Sequence, residues 1–294
     1  MSETKKSWLY RHRYQLEDIK LMIRLLNESL TAKIGIFLIT CFVLLAVFGP
    51  ILAPYKPLVQ DLTNRFMPPS SEHLFGTDQL GRDIFSRVLH GSRISLVMGI
   101  VVTSILFVIG TSLGLIAGYF GGKVDEVLMR LTDMFLAFPS LILAMAVAAA
   151  LGPGLFNTMV TIAFVAWPRY ARLARACCLQ VKEETYIEAA KALGLSHGRI
   201  IFTQILPMII SPLIVQATIN LGGVILQAAG LGFLGLGAQP PDPEWGLMIS
   251  EGRRFISDQW WVSGFPGIMI LLVVLSFNLI GDSLRDVMDV RMRR

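Results

Sequence analysis

Apolar residues occur in long runs along the chain, and the short segments between these runs hold most of the charged residues. A lipid hydrocarbon layer about 30 Å thick requires about 20 apolar residues in helical form. The runs therefore predict six membrane-spanning helices, at residues 34–52, 94–119, 134–151, 155–167, 208–231 and 262–280. A Gly-Pro-Gly string at 152–154 predicts a tight turn between the third and fourth spans. The predicted fold class is an all-α polytopic membrane protein.

The composition also indicates a membrane protein. Of the 294 residues, 54% are hydrophobic and 16% are charged, whereas soluble domains carry about 25% charged residues. The net charge of +5 would suggest nucleic-acid binding if the protein were soluble. Here the basic residues lie between apolar runs, where they act as topology signals and contact lipid headgroups. No nucleic-acid partner is therefore predicted.

Lys and Arg are unevenly divided between the two sides of the predicted membrane. If the N-terminus is inside, most of the 26 basic residues lie in the inside segments, as the positive-inside rule requires. Both termini are therefore predicted to be cytoplasmic. The chain then divides into a tail at 1–33, a first span with an extracytoplasmic segment at 34–93, a core at 94–282 and a tail at 283–294. The longest cytoplasmic connection of the core is 169–206.

Residue patterns that would give the chain its own energy source or catalytic site are missing. No Asp, Glu, Lys, Arg or His lies within the predicted spans, although ion-coupled transporters usually place one there. The string Gly121-Gly122-Lys123-Val124 fails the ATP-binding loop pattern, because Ala117 replaces the first glycine and Val124 replaces Ser or Thr. No HExxH or GxSxG string occurs. We predict no catalytic or cofactor-binding residue, so uphill transport would need energy from another chain.

The cysteines and histidines lack the spacing of metal ligands. The cysteines are odd in number and form no CxxC pair, which argues against a disulfide framework or a zinc site. They are Cys41, Cys177 and Cys178. The histidines are scattered over three different segments, and they are His12, His73, His90 and His197. No metal site is predicted.

The cytoplasmic connection contains signals for two short helices. Thr185 and Glu188 fit a capping box at the start of the first helix, and Gly194 is placed to end it in the left-handed conformation. Ser196 can cap a second helix that ends before Pro207.

One face of the first short helix is apolar. Ile187, Ala190 and Leu193 share this face, and small alanine side chains would allow a partner to approach closely. The segment could instead be an amphipathic connector that packs on its own membrane helices. The spacing alone leaves both interpretations open.

The first short helix also resembles a known motif. It contains the string Glu188-Ala189-Ala190-x-x-x-Gly194, which a hydrophobic-Leu-Pro ending follows. This string resembles the EAA motif of ABC-importer permeases, in which the loop is a coupling helix that docks in a groove of the ATPase subunit. The resemblance implies an ATPase-coupling role for these four residues. Gln204 stands where the family often has Ile, but it lies outside the docking half.

Further strings resemble the C-type subunit of the paired dipeptide, oligopeptide and nickel permeases. They lie in order between about residues 66 and 285. They are Phe75-Gly76-Thr77-Asp78-Gln79-Leu80-Gly81-Arg82-Asp83 with Ser86-Arg87, Gly91, Arg93 and Ser95-Leu96; Arg130-Leu131-x-Asp133 with Phe138-Pro139-Ser140; and Leu231-Gly232-Phe233-Leu234-Gly235-Leu236-Gly237 with Pro240-Pro241 and Trp245-Gly246.

The resemblance implies a type I ABC-importer permease fold in the bacterial inner membrane. The implied partners are a homologous second permease subunit, two ATP-binding subunits, an extracytoplasmic solute-binding protein and membrane lipid. ATP and Mg would be bound by the ATPase subunits, with no cofactor in this chain. The implied solute is a peptide or peptide-like molecule, and nickel or another small solute is the alternative. A transporter or channel working alone and a membrane enzyme or scaffold are competing classes, against which the missing charges and catalytic motifs argue.

Two features around the second span predict packing. Residues 79–92 predict an amphipathic helix in the outer membrane interface, with Asp78 and Arg82 as an i,i+4 pair. Within the span, glycine recurs at every fourth position, which permits close helix packing. These glycines are Gly110, Gly114 and Gly118.

The fifth span carries an amide stripe, defined here as Gln216, Asn220, Gly223 and Gln227. These positions lie on one side of a helix, and amide side chains should avoid lipid. They could line a translocation path, in which case Gln216, Asn220 and Gln227 would contact solute. They could instead hydrogen-bond to neighbouring helices, and the sequence leaves both interpretations open.

Three tryptophans lie in the last outer segment, before the sixth span. They are Trp245, Trp260 and Trp261. Anchoring at the membrane interface is their default role, and contact with an external binding protein is the alternative.

Overall fold

The computed structural model describes residues 28–292. The α-helices in this part of the chain are α1 (Leu30–Leu52), α2 (Ile84–Phe120), α3 (Gly122–Leu136), α4 (Ser140–Leu151), α5 (Leu155–Lys182), α6 (Thr185–Ala192), α7 (His197–Ile200), α8 (Leu206–Phe233), α9 (Trp245–Gly252) and α10 (Trp261–Met292). Short 3₁₀ helices lie at Leu62–Asn64 and Arg253–Phe255, and a π-helix at Ile201–Ile205. His12 and most of the predicted tail at 1–33 lie outside the described residues.

The long helices form one bundle in which α2 packs along α5, and α8 packs against α10 and α2. Four stretches are long and apolar enough to cross a membrane, and they are Leu30–Leu52, Ile84–Phe120, His197–Phe233 and Trp261–Met288. The first, second, fifth and sixth predicted spans lie within these stretches, so their helical character is confirmed. The count of six spans and the cytoplasmic placement of both termini stay predictions.

The third predicted span, at 134–151, is wrong as a single helix. The chain bends by 89° between α3 and α4. Pro139 explains the break, because a proline disfavours helical conformation in the preceding residue, Phe138, and lacks an N–H to donate. Together α3 and α4 are apolar enough to count as one broken span.

The fourth predicted span, at 155–167, is too short. Its helix, α5, continues to Lys182 despite Pro168 in its interior. The hydrophobic run ends where arginines begin, but arginine is a good helix former, and Arg172 and Arg175 find partners on α3. The predicted turn at 152–154 is confirmed, since Gly152 and Gly154 both take positive φ there.

The predicted interfacial helix at 79–92 is also wrong. Asp83 is the N-cap of α2, with its side chain accepting a hydrogen bond from the Ser86 amide, and the residues before it form a turn. Arg82 and Arg87 are only 2% and 1% exposed. Both arginines can be buried because acidic side chains pair with them there.

The second predicted cytoplasmic helix does not end before Pro207. Helix α7 continues through the π-helix into α8, so one helical rod runs from His197 to Phe233. Pro207 lies in the first turn of α8, where a missing N–H is tolerated. Ser196 takes the N-cap position of α7, but its side chain makes no capping hydrogen bond.

The glycines of the second span bring the backbones of α2 and α5 together, as predicted. A Cβ atom added at Gly114 would overlap the carbonyl oxygen of Ala171, and one added at Gly118 would lie 2.9 Å from the Cβ of Cys178. Gly110 faces Tyr170 in the same way. At these glycines the two backbones lie so close together that no side chain would fit between the helices.

The Gly114→Ala substitution should therefore destabilise the bundle, by roughly 1–3 kcal/mol as for other overpacked cores. The matched control is Gly223→Ala in α8, where an added Cβ meets only the Asn220 amide oxygen at 3.8 Å. The control should be neutral or slightly stabilising, because alanine is the better helix former. Thermal unfolding of the two purified variants in detergent measures the difference, and equal melting temperatures would contradict the packing assigned to Gly114.

Candidate functional site

A cavity of about 620 Å³ lies between the α3–α4 bend, α5 and α8, and we call it the central cavity. Its wall includes three members of the amide stripe, which are Asn220, Gly223 and Gln227. Gln216, one turn earlier on α8, does not belong to the wall. The remaining wall residues are mostly apolar, and they are Phe135, Leu136, Phe138, Pro139, Ser140, Leu141, Val165, Ala166, Arg169, Leu226 and Gly230.

The polar groups of the wall can bond to a solute. The Gln227 side-chain nitrogen is buried and has no hydrogen-bond partner among the described residues. Buried polar atoms are nearly always paired, so this donor is available to a group that enters the cavity. A concave, largely apolar wall with a few convergent polar groups is typical of small-molecule sites.

Two ion pairs hold α3 against α5 below this cavity. Arg175 binds Asp125 through two hydrogen bonds, of 2.5 Å and 2.6 Å. Arg172 binds Asp133 at 2.5 Å, with both side chains about half exposed. These pairs explain why the arginines that follow the fourth hydrophobic run can continue as helix.

The helix that carries the EAA-like string is α6, and its C-terminal end has the predicted geometry. Gly194 has φ +74°, in the left-handed region. The Gly194 amide donates to the Lys191 carbonyl, and the Leu195 amide donates to the Ala190 carbonyl, which together make a Schellman motif. An added Cβ at Gly194 would meet open space, so only the backbone conformation restricts this position.

The predicted start of α6 is wrong. Glu184, not Thr185, takes the N-cap position, and no side chain caps this end. The capping box between Thr185 and Glu188 is therefore absent from the structure. Glu188 lies in the first turn, where its negative charge interacts favourably with the helix dipole.

The predicted shared face of α6 is also wrong. Ile187 is 0% exposed and Ala190 is 8% exposed, because both pack inward against residues of α2, α5 and α7. Leu193 is 79% exposed. The outward surface instead comprises Glu188, Ala189, Lys191, Ala192, Leu193 and Gly194, and we call it the outer face of α6.

The inward side of α6 seals a small apolar cluster. Ile187 and Ala190 pack there with Tyr119, Cys178 and Ile200. The Tyr119 hydroxyl lies 2.9 Å from His197 Nδ1, which joins the end of α2 to the start of α7. This histidine has a structural partner, and α6 is fixed to three helices at once.

Three buried charges, those of Asp78, Arg82 and Arg87, and the partly buried carboxylate of Glu251 bind together the segments that precede α2 and α10. The predicted pair is confirmed, since Arg82 Nε donates to Asp78 at 2.6 Å. Arg82 and Arg87 both also donate to Glu251, at 2.9 Å and 3.0 Å, and Arg87 donates to Asp78 as well. Such a cluster is tolerated away from water because each charge has at least one opposite partner.

The three tryptophans of the last predicted outer segment differ in burial, and therefore in the roles that they can have. Trp245 is fully buried and donates from Nε1 to the Val88 carbonyl at 3.1 Å, so interface anchoring is wrong for this residue. Trp261 donates to the Thr77 carbonyl at 3.3 Å. Trp260 is 52% exposed and keeps both predicted roles.

Burial also shifts the pKa of one acidic group near these segments, the carboxyl of Glu244. Glu244 is the N-cap of α9, and its carboxylate accepts a hydrogen bond from the Leu247 amide at 2.8 Å. Burial raises the pKa of this carboxyl, and hydrogen bonds from the Gly246 and Leu247 amides oppose that rise. The Glu244 side chain caps the start of α9, and it does not line the central cavity.

Long apolar helices around a largely apolar cavity with a few polar groups are typical of a membrane transport protein. The same fold occurs in a solved chain of the MetNI methionine ABC transporter, in an inward-facing conformation. That chain is 22% identical, with a TM-score of 0.55 over 68% of this chain and 95% of its own length. At this identity the likeness establishes the fold.

Sequence comparison establishes the family. Residues 110–294 match the family described as binding-protein-dependent transport system inner membrane component, and residues 20–69 match the N-terminal TM domain of oligopeptide transport permease C. The chain belongs to this family of multi-pass bacterial inner-membrane proteins, as its sequence motifs predicted.

Curated relatives match over nearly the whole chain. The dipeptide transport system permease protein DppC of Alkalihalophilus pseudofirmus is 49% identical over 91% of this chain and 88% of that protein. The probable D,D-dipeptide transport system permease protein DdpC of Escherichia coli is 49% identical over 92% and 90%. The glutathione transport system permease protein GsiD of Pectobacterium atrosepticum is 42% identical, also over 92% and 90%.

If the central cavity is open to water, cysteines placed in its wall should react with a polar thiol reagent. Asn220→Cys and Gln227→Cys should react several-fold faster than Val224→Cys, which lies on the same helix at 1% exposure. Modification rates are measured in membranes, in a background without Cys41, Cys177 and Cys178. Equal rates at all three positions would mean that the amides only pack against other helices.

Proposed function

We propose that this chain is the permease subunit of an ATP-driven importer for peptides or peptide-like solutes. Two copies of this architecture, this chain and a homologous permease, would each supply half of the translocation path. Two ATP-binding subunits and an extracytoplasmic solute-binding protein complete the proposed complex. The chain itself would contribute no ATP or metal site.

The observation that carries this proposal is the amide-bearing wall of the central cavity, taken together with the relatives' transport names. Those relatives are named for dipeptides, D,D-dipeptides and glutathione, which all contain amide bonds. The side chains of Asn220 and Gln227 offer donors and acceptors that match a peptide backbone. As uncharged groups in a wet cavity, they would bind weakly enough to release the solute.

The outer face of α6 is the proposed contact for an ATP-binding subunit. Glu188, Ala189 and Gly194 point away from the bundle, and Leu193 presents an exposed apolar side chain that a groove could bury. Ala190, although part of the EAA-like string, acts from the inside by fixing the helix to the chain. Because Ile187 and Ala190 anchor α6 to three helices, a push on its outer face would move those helices as a body.

Transport by the reconstituted complex tests the proposed function. Liposomes that hold this chain, the homologous permease and the ATP-binding subunits, with the binding protein outside, should take up labelled tri-alanine only with ATP. Vesicles without this chain are the control. Uptake of labelled nickel instead of peptide would support the alternative solute. ATP-independent uptake by this chain alone would contradict the importer and favour a transporter that works by itself.

Substitution of Gly194 tests the coupling role. Gly194→Val should reduce solute-stimulated ATP hydrolysis several-fold or release the ATP-binding subunits, because positive φ costs a non-glycine residue roughly 1–2 kcal/mol and suits β-branched residues least. Glu188→Lys should act in the same direction, since it places a cation in the first turn of α6.

Gly198→Val is the matched control for Gly194→Val. Both glycines are exposed with open space around an added Cβ, but only Gly194 has a positive φ. The control should keep most of the ATPase stimulation. If Gly194→Val and Glu188→Lys both assemble and transport at the unmodified rate, α6 is a passive connector.

A further inference from the structure

Helix α5 carries three arginines, spaced three residues apart, on one broad side. Two of them are neutralised by α3, because Arg172 pairs with Asp133 and Arg175 pairs with Asp125. Arg169, one turn closer to the centre of the bundle, forms no ion pair with any described residue. Its guanidinium therefore does not join α5 to α3, as those of Arg172 and Arg175 do.

Arg169 lies in the wall of the central cavity, and it is the one ionisable residue in the described wall. The Arg169 side chain is exposed at this wall, so water can hydrate a charge that would be costly to bury unpaired among apolar residues. A guanidinium in a wet cavity keeps its hydration until an anion replaces the water. The arrangement is suited to reversible binding of an anion.

The amides of the wall indicate which anion this is. Asn220 and Gln227 share the wall with Arg169, so a ligand that contacts all three carries a negative charge beside amide groups. A free peptide has both features, since its α-carboxyl group has a pKa of about 3.3–3.7 and is ionised at neutral pH. The guanidinium fork matches a carboxylate through two parallel hydrogen bonds.

We propose that Arg169 binds the terminal carboxylate of the solute in the central cavity, while Asn220 and Gln227 bond to its peptide groups. This inference rests on the proposed peptide-import function and adds a subsite to it. The subsite selects for a free C-terminus inside the membrane domain, independently of the binding protein. A lipid phosphate is the competing anion for the same guanidinium.

The local charge can be measured with a cysteine in the cavity wall. Gly223→Cys places a thiol beside Asn220 with room for its Cβ, in a background without the three native cysteines. The purified complex is treated with anionic 2-sulfonatoethyl and cationic 2-(trimethylammonio)ethyl methanethiosulfonate. Arg169→Gln should lower the anionic-to-cationic rate ratio roughly threefold to tenfold, as expected for one charge several ångströms away in a wet site.

The control is the double variant Arg172→Gln/Asp133→Asn, which removes the neighbouring ion pair between α5 and α3 without changing net charge. Its rate ratio should equal that of the starting protein. An unchanged ratio in Arg169→Gln would overturn the proposal. Loss of the second permease from the Arg169→Gln complex would also overturn it, because Arg169 would then pair with an acidic group of the partner subunit.

Protection experiments identify the ligand group. Tri-alanine should slow modification of the Gly223→Cys complex at lower concentration than tri-alanine amide does, and Arg169→Gln should abolish this difference. Equal protection by both peptides in the arginine-containing complex would overturn the carboxylate site. Protection by anionic lipid vesicles but by neither peptide would assign Arg169 to a lipid phosphate.

The uptake assay separates this inference from the proposed function. If the complex imports tri-alanine with ATP but the two peptides protect equally, only the carboxylate subsite is wrong. If ATP-dependent uptake itself fails, the import function is wrong whatever Arg169 binds.

Discussion

Helices α2 and α5 touch along their backbones, and the other parts of the fold are arranged around this contact. Gly114 and Gly118 leave no space for side chains between the two helices, and close approach of this kind stabilises helix pairs where lipid offers no hydrophobic driving force. The far side of α5 carries the arginines that hold α3. Helix α5 therefore lines one side of the central cavity, and both α2 and α5 pack against α6.

Different interactions hold the two ends of the bundle together. Outside the predicted spans, Arg82 and Arg87 are buried with two acidic partners, so long segments without regular structure are held by charge. On the side of α6, the joints are apolar, since Ile187 is inserted among α2, α5 and α7. The two ends of the bundle are therefore held by different interactions, ion pairs at one end and apolar packing at the other.

Local signals from glycine predicted local structure well, whereas the side-chain caps predicted at Thr185 and Ser196 did not form. Gly194 was predicted to take positive φ because only the chain around it decides how a helix ends, and the glycines of α2 were predicted to pack for a similar reason. Hydrophobic runs located four spans but carry no direction, so the 89° bend at Pro139 was missed. Glu251 could not be assigned to Arg87 from sequence, because 164 residues separate them and no spacing rule connects them. Which side of α6 faces inward likewise depended on helices distant in the chain.

The unbroken rod from His197 to Phe233 has a mechanical consequence. Its N-terminal end adjoins α6, and Asn220 lies 19 residues beyond Ile201, a lever arm of about 28 Å at 1.5 Å per residue. A tilt of roughly 10° at the π-helix would sweep Asn220 through about 5 Å, about the length of one helical turn. The π-helix, with its looser hydrogen bonding, is the natural fulcrum for this motion. A small rotation near α6 would therefore produce a much larger displacement of the cavity wall at Asn220.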